Sequence, residues 1–160
     1  MKKVLKKLTE SLFRRIPLPE VEAHCDAPCG VYDPASARIA AEAVLQLTQK
    51  IVDLKPPASN DVAAQHAYFN TLTRYITIKE QQAEIAKREI LILWTDYFKA
   101  EHLKEFPNLH ELVWKAAKLC STVKREVSVE HARELLDVIR QIHDIFWKTK
   151  GREVPWYLAS

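Results

Sequence analysis

Residues 128–151 read SVEHARELLDVIRQIHDIFWKTKG, and this stretch decides the fold. Val129, Ala132, Leu136, Ile139, His143 and Phe146 recur at spacings of three and four, the period of one helix face rather than of a strand. Ser128 stands at the N-cap, and Gly151 with Pro155 ends the pattern. Moving towards the N-terminus, the same periodicity returns. Pro107 opens a helix whose face carries Leu109, Leu112, Ala116, Cys120 and Val123. Before it, Asn60 or Asp61 caps a long helical region reaching about Phe98, with Ile78, Ile85, Leu93 and Trp94 among its expected core residues. Earlier still, Asp33 and Pro34 read as N-cap and first helical residue. A stripe of Ala40, Val44, Leu47, Ile51 and Leu54 follows, and Pro56-Pro57 stops it. The expected fold is all-α, an antiparallel up-down four-helix bundle over about 34–150.

Composition agrees. A chain of 160 residues supports one domain with a real core. Only two glycines occur, Gly30 and Gly151, too few for the turns and bulges of an all-β fold. No stretch approaches the ~20 apolar residues that span a bilayer, so no membrane is expected as a partner. The net charge of +3 lies in the head: residues 1–23 hold Lys2, Lys3, Lys6, Lys7, Arg14 and Arg15 against Glu10, Glu20 and Glu22. The body is neutral, which removes the support for a nucleic-acid partner. The head's apolar residues (Val4, Leu5, Leu8, Leu12, Phe13) recur at roughly helical spacing but are interrupted by charges, so it lacks the continuous core of a secretory signal. A cytoplasmic protein is expected. Cys25, Cys29 and Cys120 are an odd number, unlike a disulfide framework. Pro17 and Pro19 predict an extended linker over residues 16–23, the kind of segment where proteases cut.

After the linker comes His24-Cys25-Asp26-Ala27-Pro28-Cys29. No second Cys or His pair exists to complete a zinc site, and the spacing is not the Cys-x2-Cys of a thioredoxin-like dithiol. Cleavage between Ala23 and His24 would create a free amine. That amine, the Cys25 backbone nitrogen and the Cys25 and Cys29 thiolates make a square-planar N2S2 set, suited to Ni(II) or Cu(II) rather than Zn(II). The His24 imidazole stays free to bind axially.

The run from His24 to Pro34 resembles the nickel hook of the nickel-dependent superoxide dismutases. Two further blocks agree: Ile78-Lys79-Glu80-Gln81 through Leu93-Trp94-Thr95-Asp96-Tyr97-Phe98-Lys99, and Ile145-Phe146-Trp147-Lys148-Thr149-Lys150. The resemblance implies residues 1–23 as a pro-segment removed by a processing protease, and 24–160 as the dismutase domain with its hook at 24–32. It also implies a homohexamer with one nickel ion per subunit, bound by His24, Cys25 and Cys29. Superoxide would be disproportionated by Ni(II)/Ni(III) cycling. Asp26, Tyr32 and Tyr97 would surround the centre, the two tyrosines restricting access and holding small anions or waters, while Lys99 would attract the substrate anion. Members of the family carry a Glu where this chain has Ala40 and an Arg where it has Gln82, a pair that orients the axial imidazole. Glu42 and Gln82 are the candidates to replace it.

Two other classes fit the hook: a helical module that binds nickel or copper without turnover, and a thiol redox protein cycling Cys25 and Cys29. Cys120, on an apolar stripe, reads as a core thiol. His66, His102, His110, His131 and His143 share no pattern and read as surface or core residues. Trp94, Trp114 and Trp147 read as core or interface residues. The tail Arg152–Tyr157 reaches past the resemblance and suggests subunit packing at most.

Overall fold

The computed structural model describes residues 30–58 and 61–159. Among them there are helices and no strand. The helices are α1 (Ala35–Asp53), α2 (Val62–Ile92), a π turn (Leu93–Tyr97), the short α3 (Ala100–Glu105), α4 (Leu109–Arg125) and α5 (Val129–Thr149). Helix α1 packs on α2 and α5, and α4 packs on the same two, so the long helices close a ring of four. Short connections join successive neighbours, giving the up-and-down bundle that the periodicity predicts.

The caps explain where the helices begin. Ser128 Oγ accepts the His131 N–H at 3.2 Å, and Asp61 Oδ1 accepts the Ala63 N–H at 3.0 Å. Asp33 Oδ1 accepts the Ala35 N–H at 2.8 Å, so it serves α1 from one residue further out than a simple N-cap. The short helix α3, between the π turn and α4, is absent from the periodic pattern because six residues give no apolar stripe to read.

The core is continuous: Ala40 and Val44 of α1, Leu109, Ala116, Cys120 and Val123 of α4, and Ala132, Leu135, Ile139 and Phe146 of α5 are all buried. Helix α2 departs from expectation. Ile78 and Ile85 are 36% and 42% exposed, because α2 turns Lys79, Ala83, Ala86 and Ile90 to the core instead. Small side chains on that face let the neighbouring helices approach. Lys79, 1% exposed, donates its ammonium to the carbonyls of Val123 and Glu126 at the end of α4, the groups a helix terminus leaves without intrahelical donors.

The tail beyond α5 folds back on its own chain. His143 Nε2 donates to the Val154 carbonyl at 3.0 Å, and Trp156 meets the His143 ring edge-on. Tyr157 stacks on the buried Arg38 guanidinium at 4.2 Å, and the Ala159 N–H reaches Glu42 Oε2 at 3.0 Å. The tail therefore straps α5 to α1.

Candidate metal centre

Helix α2 does not end as an α-helix. The Phe98 N–H passes over residue 94 and bonds the Leu93 carbonyl at 2.9 Å, the i to i−5 link of a π turn. Thr95 assists by donating its hydroxyl to the Leu91 carbonyl at 2.9 Å, a bond that loosens the ordinary ladder. The extra residue in this turn sets the direction of Tyr97.

Tyr97 is the hub of an aromatic wall. Its ring lies 4.5 Å from Phe146, 5.2 Å from Phe98, 5.6 Å from Tyr32 and 5.7 Å from His102, measured between centroids, and His102 lies nearly parallel to it. Rings at these separations contribute beyond the area they bury. The Lys150 ammonium sits over both Tyr97 and Phe146, 5.3 and 5.1 Å from their centroids. The Tyr97 hydroxyl is 2.7 Å from Thr149 Oγ1. Tyr32 arrives at this wall from the other side, two residues after Gly30, whose φ of +84° favours glycine at the turn leading into α1.

The sequence profile of the nickel-containing superoxide dismutases matches residues 19–150. The chain belongs to this family. It is 44% identical over 134 residues to the superoxide dismutase [Ni] of Streptomyces seoulensis and 45% identical over 134 residues to that of Streptomyces coelicolor, covering 84% of this chain and 93% of each relative. A crystal structure of a nickel-containing superoxide dismutase with the ligation of the oxidised state superposes with a TM-score of 0.67 at 43% identity, covering 81% of this chain and all of that one. A second, with the ligation after partial X-ray-induced reduction, gives 0.65 at 43% identity over the same shares. The chain is thus an oxidoreductase of the nickel superoxide dismutase family, whose cofactor is nickel.

Within a nickel superoxide dismutase, the residues singled out from sequence divide into two groups. Tyr32 and Tyr97 are brought into ring contact, and Lys99 lies two residues beyond Tyr97, exposed, at the start of α3. His24, Cys25, Asp26 and Cys29 fall outside the described residues. Among the described residues no group of three or more His, Cys, Asp or Glu is placed to hold a metal. Cys120 is buried, and its burial pushes the thiol up to about 12, so no thiolate is available there at neutral pH. Two thiols and an imidazole within six residues, at His24, Cys25 and Cys29, are donors of the kind that nickel takes.

The positions at which the resemblance expected a Glu and an Arg are both described. Ala40 is packed in the core and Gln82 is half-buried on α2. Glu42 is buried with its carboxylate 3.5 Å from Arg38 and holding the Ala159 N–H. Three wall residues escape a sequence reading. His102 accepts the Lys99 backbone N–H at Nδ1, 3.1 Å away, so its neutral ring carries the proton on Nε2. Thr149 and Lys150 lie more than 50 positions from Tyr97 in the chain. Only the shared third block marked them, as part of a match and without a role.

Proposed function

We propose that this chain disproportionates superoxide to oxygen and hydrogen peroxide at a hook of His24, Cys25 and Cys29, completed when the bond between Ala23 and His24 is cut. The observation that carries this reading is the contact between Tyr32 and Tyr97. Only three peptide units join Cys29 to Tyr32, a reach of at most about 11 Å, so the aromatic wall stands within range of any metal held by the hook.

Nickel bound there would supply a one-electron couple, matching the oxidation of one superoxide to oxygen with the reduction of a second, with two protons, to hydrogen peroxide. The chain's own residues do the rest. The cleaved amine of His24, the amide of Cys25, the two thiolates and the His24 imidazole would hold the metal, and the thiolates and deprotonated amide would donate strongly to it. Asp26, Tyr32 and Tyr97 line the approach, and the rings restrict it to small species. Lys99 and Lys150 place positive charge at its edge, where a small anion arrives.

The exposed apolar surface supports assembly into a homohexamer. Trp114 is 60% exposed, and with Leu91, Trp94 and Val113 it lines a groove of about 280 Å³ between α2 and α4. The charge-interrupted head supports a cytoplasmic location.

The decisive experiment compares the full chain with one beginning at His24, both loaded with nickel, for superoxide turnover and for mass in solution. Turnover is expected only in the second. Equal activity of the full chain would refute the amine as a ligand, and a monomer would refute the hexamer.

A further inference from the structure

The polarity of the Tyr97 hydroxyl is set by the end of α5. Thr149 Oγ1 has two close oxygen neighbours, Tyr97 Oη at 2.7 Å and the Phe146 carbonyl at 2.7 Å. A carbonyl only accepts and a threonine hydroxyl has one proton to give, so that proton goes to Phe146. The reverse arrangement would set two lone pairs against each other at hydrogen-bond distance. The Phe146 carbonyl is among the last of α5, where the Lys150 N–H turns to Trp147 instead, so it has a standing need for a donor. It follows that Tyr97 donates to Thr149 and has no further proton to offer.

We infer that Thr149 is a positioning residue which makes Tyr97 a hydrogen-bond acceptor towards the metal approach, so that Tyr97 holds proton-bearing species, water or hydrogen peroxide, in preference to small anions. The inference rests on the proposed site at the hook, and it divides what sequence resemblance left joined: of anions and waters, Tyr97 is built for the waters. Attraction of the anion falls to the cations at the edge. Tyr97 with its proton committed discriminates by hydrogen-bond polarity, where size alone would not separate superoxide from peroxide.

The test uses the chain beginning at His24 in wild-type form and as Thr149→Val and Thr149→Ser. In metal-free protein, proton NMR should show a slowly exchanging Tyr97 hydroxyl proton with a cross-peak to the Thr149 methyl group. The slow exchange should persist in Thr149→Ser, which keeps the relay, and vanish in Thr149→Val and in a Tyr97→Phe control. In the nickel-loaded forms, azide serves as the anion probe. Thr149→Val frees the phenol proton to bind it, so inhibition should tighten about threefold or more, with Thr149→Ser matching wild type. An unchanged hydroxyl signal in Thr149→Val, or azide inhibition that is unchanged or weaker there, overturns the inference. Failure of the dismutase reading looks different: the unaltered chain would not turn over superoxide, while the hydroxyl signal would still decide whether Thr149 sets the proton.

Discussion

Of the three cysteines in the chain, Cys120 can be told from the other two by experiment, because it is sealed in the core. Cys120 is wholly buried with its thiol pushed up to about 12 by loss of solvent, so it is inert in the folded protein. In the chain beginning at His24 without metal, a maleimide should therefore label two cysteines. Nickel should protect both, and the third should react only after unfolding. Mass spectrometry of the products checks this; rapid labelling of the nickel-loaded form would remove Cys25 and Cys29 from the ligand set. The inert cysteine was legible from its place on an apolar stripe. Thr149 was not, since its role depends on a partner more than 50 positions away and on the count of protons between three oxygens.

At the scale of elements, Lys79 joins α2 to α4. Replacing it by methionine keeps much of its apolar volume but leaves the Val123 and Glu126 carbonyls without their donor, at a cost of about 2 kcal/mol. Its pH dependence has a definite sign. Burial holds the Lys79 ammonium below its ordinary 10.5, with Glu80 opposing in part. The unfolded chain thus keeps its proton to higher pH, and folding gains stability as pH climbs towards 10.5. Urea unfolding at pH 7 and near pH 10 should show this gain in wild type and its loss in Lys79→Met; parallel profiles would refute it. Helix starts at Ser128 and Asp61 could be read because a cap is a local event, one side chain against the next turn. The core face of α2 could not. Its apolar residues run round the helix, so periodicity favoured Ile78 and Ile85, whereas close packing selected the small Ala83 and Ala86 and a lysine.

The whole molecule carries its surplus charge in the segment that maturation would remove. The remaining body is neutral, and any steering of superoxide must come from local cations such as Lys99. Lys99→Ala should slow turnover at low salt about two- to fivefold and flatten its dependence on ionic strength, the two proteins converging near 1 M salt. Identical rates and salt slopes would remove Lys99 from this role. The ring of four helices was legible because each stripe must be buried by a neighbour. The strap formed by residues 152–159 was not, because a short segment without periodicity acquires meaning only from what it touches. Here it touches Arg38 and Glu42 of α1, the helix that begins three residues after Tyr32.

The π turn at Leu93–Tyr97 makes this part of the chain sensitive to length more than to composition. One residue fewer would let α2 run on as a regular helix with its hydrogen-bond ladder repaired, and local stability should rise. The same deletion would swing every following side chain by about 100°. Tyr97 would leave Tyr32 and Thr149, and Lys99 would turn with it. A substitution elsewhere in the turn leaves Tyr97 aimed as it is, whereas a single lost codon does not: the irregularity works as a spacer whose removal would improve the helix and take Tyr97 away from Tyr32 and Thr149.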